Sequence, residues 1–394
     1  MNILENINNE KVTQWRRHFH MYPELAYNEF ETTMHIVEVA QAYPGLEILR
    51  PTPTGAVVVL KTGKPGPVIG LRADIDALPI LEEADVPFKS KNDGVMHACG
   101  HDCHTAMLLG ALDALYHQRD NLKGTIKFIF QHAEEKPPGG ASQICKSGVL
   151  DDVQIFYGCH VFLNEPAGTV TSISGPLMAN TDSFDILVQG KGTHAARPEK
   201  GIDSLLIGTE IVQAINYIVP RQVSAGEKAV ITVGAFNSGN IHNVVPDTAE
   251  IKGTVRTYDK EVRELIEKRI KAMAEGICLA YGATCEVEYG GGYDSVVNTE
   301  DLNQFFRKTA KKYIPDIIIA EMEALMGGED FSEYSKIAPS HFVGIGAKPK
   351  EGEKYGGHHP KFEVDEDCLP IGAALYAAIA LEVIENGLPA TPSS

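Results

Sequence analysis

The chain has 394 residues, of which 43% are hydrophobic and 22% charged, and 53 acidic against 35 basic side chains leave a net charge of −18. That length exceeds a single core and predicts two domains, while the acidic balance argues against a nucleic-acid or anionic-membrane partner. Seven cysteines at irregular spacing make no disulfide framework, and the N-terminal MNILENINNEKVTQ lacks the basic-then-apolar pattern of a signal peptide, so a cytoplasmic, reduced protein is expected.

In chain order, Lys11 to Tyr22 and Glu29 to Ala42 read as helices. AVVVLKTG and PVIGLRADID are short β-branched runs of the buried-strand type. Thr105 to His117 is helical, GTIKFIFQHAEE is a strand ending in charges, and VQIFYGCHVF repeats that pattern. Such alternation predicts an α/β sheet covered on both faces. Asp74, Asp76, Glu134, Glu135 and His160 all follow these strands, at the sheet edge where open α/β folds bind ligands.

The rhythm then changes. FDILVQGKG, DSLLIGTEIVQAINYIV, KAVITVGAFNSG, TAEIKGTVRTYD, KEVRELIEKRIKAMAEGICLAYG and TCEVEYGG give the order βαββαβ, a ferredoxin-like arrangement. After it, DLNQFFRKTAKKY (helix), HFVGIG (strand) and a C-terminal helix resume the first pattern. The last helix contains the run LPIGAALYAAIALEVI, shorter than a membrane span needs and rich in the small residues of a closely packed helix. The expected fold is an α/β catalytic domain with a mixed, mostly parallel sheet sandwiched by helices, residues 1–179 and 292–394. An inserted ferredoxin-like βαββαβ lid and dimerisation domain, 180–291, would interrupt it. TPSS at the end reads as a frayed tail.

The densest chemistry lies in VMHACGHDCHTAMLLGAL. Cys99 and His101 are two apart and would point the same way from an extended segment; thiolate and imidazole both suit zinc and related metals. The alternatives are a turn with a buried Cys and surface histidines, or a redox pair of Cys99 with Cys103, whose spacing is not Cys-x-x-Cys. Glu134 and Glu135 end an apolar strand and would point to opposite sides of its continuation. One can bind metal while its neighbour serves as a general base; a solvated charge pair is the plainer reading. His160 joins them at the same edge, where a satisfied core histidine is the alternative. His358 and His359, in a loop rich in Gly and Pro, complete the set. Cys99, His101, Glu135, His160 and His358 exceed one tetrahedral site and suit two metals sharing a bridging group.

Nine stretches in order carry a resemblance: RRHFHMYPEL, LRADIDALPI, MHACGHDCHTAMLLGA, FQHAEE, GCHV, GKGTHAARP, HNVVPDTAEIKGTVRT, GGEDFSEYS and HHPKFEVDEDCLPIGA. The chain resembles the dinuclear metallopeptidase and amidohydrolase superfamily of aminoacylases and carboxypeptidase G, and within it the hippurate and indoleacetyl-amino-acid hydrolase branch. The resemblance implies two divalent metal ions per subunit, zinc or manganese first and cobalt or nickel next, held by Cys99, His101, Glu135, His160 and His358 with Cys99 bridging. It implies Glu134 as general base and His194 as a residue that reaches the partner subunit's active site to stabilise the oxyanion, in a homodimer or a dimer of dimers. A helix-capping turn is the alternative for His194. Asn243 and Arg256 become candidates for substrate contacts, Arg256 against an amino-acid carboxylate or else in a salt bridge of the lid. Asp74, Glu329 and Asp330 would orient ligand histidines, or serve as helix caps.

Two positions depart from the branch. His132 stands where it usually has Pro and is a candidate for lining the substrate pocket. The last motif reads His358, His359, Pro360 in place of His, Asn or Ser, Pro; register favours His358 as ligand, with His359 its competitor. The implied activity is metal-dependent hydrolysis of N-acyl-L-amino acids. A dipeptidase or carboxypeptidase with the same chemistry, and a non-catalytic binding protein on the same fold, are its rivals.

Overall fold

The computed structural model describes residues 2–351 and 354–389; TPSS lies outside them. The chain divides into two compact units, Met1–Leu177 with Val297–Glu323 and Asp330–Ser394, and Met178–Val296 with Ala324–Glu329.

The first unit is built on an eight-stranded sheet in the order Glu47–Leu49, Ala56–Lys61, Thr125–Gln131, Val68–Asp74, Ile155–Pro166, Ser340–Lys348, Thr169–Thr171, Ile318–Ala320. The four central strands are mutually parallel, and Ala56–Lys61 and Thr169–Thr171 pair antiparallel to them on the two sides. Their β-branched and aromatic residues are buried almost without interruption, as parallel strands covered on both faces require. Each fully buried side chain such as Ile69, Leu71 or Phe128 contributes about 1.5–3 kcal/mol.

Two long helices meet behind this sheet, His101–His117 and Cys368–Asn386. Gly372 lets them touch: a Cβ there would fall 2.2 Å from Met107 Sδ. The small residues of the C-terminal run thus serve helix-on-helix packing. The run lies in a helix of 19 residues that is long and apolar enough by composition to cross a membrane, and 78% of its apolar window is buried inside the protein, in keeping with a closely packed helix.

Two local expectations are corrected. The helix begins at His101, four residues before Thr105, because Gly100 precedes it in the left-handed conformation (φ 90). Cys99 and His101 therefore lie on either side of a tight turn and not in an extended segment. The strand Thr125–Gln131 ends before Glu134, and Ala133 takes φ 52. A turn, not strand pleating, directs the two glutamates.

The second unit has a four-stranded antiparallel sheet in the order Ala229–Ser238, Thr248–Thr257, Asn180–Gln189, Thr284–Gly290, with helices Ser204–Gln222 and Lys260–Ala280 packed on it. This is the ferredoxin-like order. Ile186, Val188, Ile211, Ile215, Ile251, Ile266 and Ile270 are among the buried residues of its own apolar core.

Candidate active site and metal centre

The parallel strands of the first unit deliver their polar ends to one place. Val68–Asp74 leads to Asp76, Thr125–Gln131 to the turn with Glu134 and Glu135, and Ile155–Pro166 carries His160. The loop bearing His358 is pinned to the Cys99 turn by its backbone, His358 N–H donating to the Ala98 carbonyl at 2.8 Å. His358 itself sits at φ 65, an uncommon conformation for a residue other than glycine and one that clusters at functional sites.

Cys99 Sγ lies 3.3 Å from His160 Nε2, and Glu135 Oε1 lies 3.2 Å from His358 Nε2 and 4.0 Å from His101 Nε2. Donor atoms of Cys99, His101 and His160 all fall within 4.8 Å of one another, and so do those of Cys99, Glu135 and His358. The two groups share Cys99. His101, Glu134 and Glu135 form a third such group.

Hydrogen bonding settles which imidazole nitrogens face this cluster. His101 Nδ1 lies 2.9 Å from the Asp76 carbonyl and 3.2 Å from its carboxylate, so Nδ1 donates there and Nε2 is the nitrogen turned to the cluster. Nε2 is buried with no hydrogen-bond partner among the described residues. His160 Nδ1 lies 2.7 Å from the Val161 carbonyl, which likewise turns the lone pair of Nε2 toward Cys99. A buried imidazole nitrogen without a partner is costly in a core and is what a metal ligand requires. Thiol, three imidazoles and a carboxylate form a donor set apt for divalent transition metals, and the site fits such ions.

Burial opposes the charged form of His101, but the charge of Asp74 and the bond to the Asp76 carboxylate outweigh it and raise this histidine well above the usual value; a metal ion at Nε2 would displace that proton. Burial, with the charge of Glu135 adding to it, pushes the Cys99 thiol up to about 12, so only a cation at the site would hold it as thiolate. Burial beside His104 lowers His160 well below the usual histidine value, leaving it neutral. Burial opposes ionisation of Glu135, and its bond to His358 outweighs that and keeps it below the usual carboxylate value. Glu134 is only 7% exposed, a semi-enclosed position beside the donors.

The acids expected to orient histidines have mixed placements. Asp74 Oδ1 lies 2.5 Å from His104 Nδ1, and Oδ2 accepts from Arg72 at 2.7 Å. Its distance to His101 Nε2 is 3.8 Å, beyond a hydrogen bond. His104 in turn accepts the Val161 N–H at 2.9 Å, so Asp74 acts through His104 on the strand next to His160. Asp330 accepts from Arg72 and Gln131 at 2.9 Å and from Ala141 N–H at 3.1 Å, in the first turn of Gly140–Lys146, the capping alternative. Glu329 falls in the second unit. The carboxylate that holds His101 is Asp76, a residue without an assigned role in the sequence. Its other oxygen accepts the Glu135 N–H at 3.0 Å.

His359 turns away from the cluster: its Nδ1 accepts from Lys361 N–H at 3.0 Å and its ring stacks on Tyr355. His132 is 1% exposed, its Nε2 3.3 Å from Gln143 Oε1 and its ring edge-on to Tyr27; it belongs to none of the donor groups among the described residues. In the second unit, His194 is exposed on a short strand paired with Val244–Val245. Its Nδ1 accepts the Ala196 N–H at 3.0 Å, which leaves Nε2–H as a donor. Asn243 is exposed and its carbonyl accepts from Ala195 N–H. Arg256 donates to the Val255 and Asp182 carbonyls and forms no ion pair among the described residues; the salt bridges beside it belong to Arg263.

A family profile, peptidase family M20/M25/M40, matches residues 70–382. The chain belongs to this family. It is 43% identical over 290 residues to an N-acyl-L-amino acid amidohydrolase of Geobacillus stearothermophilus, covering 74% of this chain and 78% of the relative. With thermostable carboxypeptidase 1 of Saccharolobus solfataricus it shares 37% identity over 97% of this chain and 99% of the relative. The crystal structure of a dinuclear metal-binding M20 peptidase from Bacillus subtilis superposes with a TM-score of 0.82 at 36% identity, covering 96% of this chain and 98% of that one. As an M20 member this chain is a hydrolase of amide bonds, with metal-binding chemistry at the sheet edge.

Proposed function

We propose that the protein cleaves N-acyl-L-amino acids to a carboxylic acid and a free amino acid. The observation that carries this reading is Glu134, a buried carboxylate grouped with His101 and Glu135 at the donor cluster. The amidohydrolase relative supports the substrate class.

Cys99, His101, Glu135, His160 and His358 would hold two divalent ions, zinc or manganese, with Cys99 shared between them. Such ions, when bound, lower the pKa of water and draw electron density from the scissile carbonyl. Glu134 takes the proton of the attacking water and passes it to the departing amine nitrogen, so one residue serves as base and then acid. His194 Nε2–H is the donor for the developing oxyanion, supplied by the partner in a homodimer. Arg256 keeps a guanidinium edge for the substrate carboxylate, and Asn243 adds a polar contact. All seven cysteines are free thiols, which supports action in a reducing, cytoplasmic compartment.

A carboxypeptidase reading has its own support in the archaeal relative. Side-by-side turnover of N-acetyl amino acids, hippurate and dipeptides separates the two: the proposal expects the acylated amino acids to give the higher kcat/KM, and preference for dipeptides would overturn it.

A further inference from the structure

The segment Glu24–Glu29 lies far in sequence from every residue placed in the site, yet it touches two of the chain segments that build it. Glu29 is fully buried, and its Oε1 accepts the N–H of Ala133 at 2.8 Å. Ala133 is also fully buried and sits at φ 52, where a Cβ is disfavoured. It immediately precedes Glu134 and Glu135. Tyr27 Oη donates to the Lys136 carbonyl at 3.1 Å, so the loop grips the turn on both sides of the two glutamates. Leu25 forms a parallel bridge with Ala77, whose N–H donates to the Glu24 carbonyl at 2.8 Å. That contact fixes the chain just after Asp76, the residue that holds His101.

The loop is itself anchored. The Glu24 carboxylate accepts from Glu31 and Thr32 N–H at the start of helix Phe30–Gln41. Thr33 Oγ1 donates to the Glu29 carbonyl and accepts the Gly55 N–H. A buried backbone N–H needs a partner, and Glu29 supplies one at a residue held in an unfavourable backbone conformation.

We propose that Glu29 is a positioning residue for amide hydrolysis: by holding Ala133 in the left-handed conformation it aims Glu134 and Glu135 at the donor cluster. This rests on the functional reading above only for the reaction whose rate it sets. The hydrogen bond needs an acceptor and not a charge, so a glutamine can replace the glutamate and an alanine cannot. Conversely, glycine adopts a positive φ without a Cβ penalty, so a glycine at 133 needs Glu29 less.

Hydrogen–deuterium exchange of the Ala133 amide in metal-free protein tests the geometry without any turnover. Protection is expected to fall at least about tenfold in Glu29→Ala and to persist in Glu29→Gln. In metal-loaded enzyme, Glu29→Ala lowers kcat by roughly 100-fold with little change in KM, the scale of a small misplacement of a catalytic group; Glu29→Gln recovers most of it. In the Ala133→Gly background the same alanine substitution costs less than about tenfold, the non-additivity of two residues acting through one contact.

Unchanged Ala133 protection in Glu29→Ala, or a Glu29→Gln protein as unprotected as Glu29→Ala, would overturn the proposal. So would an equal loss of kcat with and without Ala133→Gly, the behaviour of a merely structural residue. If Glu29→Ala does not fold, Glu29→Gln and Ala133→Gly still decide through exchange. Wild-type protein with protected Ala133 but no turnover of N-acyl amino acids would sink the functional reading and leave the positioning contact standing.

Discussion

Asp76 holds His101 twice, its backbone carbonyl 2.9 Å and its carboxylate 3.2 Å from Nδ1, while the second carboxylate oxygen takes the Glu135 N–H at 3.0 Å. One side chain thereby fixes a histidine and a carboxylate donor drawn from two different elements. Asp76→Ala is expected to weaken zinc or manganese binding by about 10–100-fold, measured by calorimetric titration of metal-free protein. Undiminished affinity would show that the remaining carbonyl contact suffices.

The two C-terminal histidines make opposite predictions. His358 faces Glu135 and His359 stacks on Tyr355. His358→Ala is therefore expected to lose about one ion per chain, since one donor of a shared pair is removed, while His359→Ala keeps full occupancy. Metal analysis by mass spectrometry reads both; full occupancy in His358→Ala would reverse the assignment.

Gly100 makes the turn between Cys99 and His101. A Cβ there would fall 2.3 Å from Val161 Cγ2, and the residue sits at φ 90. Gly100→Ala should cost at least about 1–2 kcal/mol from the backbone alone, with reduced metal content because Val161 adjoins His160. Denaturant midpoints and metal analysis check the two effects.

Glu29 gives a pH prediction with a definite sign. Burial, with the charge of Asp76 adding to it, raises its carboxyl from 4.5 to about 7. The fold thus favours the neutral acid, and that stabilisation is complete below pH 4.5 and lost as pH rises through 7. Glu29→Gln cannot ionise, so it should gain stability over the wild type at pH 8, by up to about 3 kcal/mol, and none at pH 4.5. Urea midpoints of metal-free protein at the two pH values test this; equal differences at both would contradict it.

Much of this molecule is legible in sequence. The β-branched runs mark the parallel strands, and the βαββαβ order marks the second unit. Cys99, His101 and Glu135 are recognisable as apt donors because thiol, imidazole and carboxylate all suit divalent metals. Their convergence is less legible, since it depends on turns. Gly100 announces its left-handed conformation; Ala133 does not, because nothing in an alanine signals φ 52. Asp74 and Asp76 look alike on paper, two residues apart, and only the chain's path after the strand decides that Asp76 meets His101 while Asp74 meets His104. The Glu29 contact spans 104 positions and leaves no local trace.

The central claim is that Glu134 moves the proton while other residues hold the metal, and one substitution tests it most directly. Glu134→Gln keeps the shape of the side chain and removes the base. Turnover of N-acetyl amino acids is expected to fall by roughly 10²–10⁴-fold, with the metal content of the wild type retained. A Glu134→Gln enzyme with wild-type kcat, or one that loses its metal in proportion to its activity, would contradict the account.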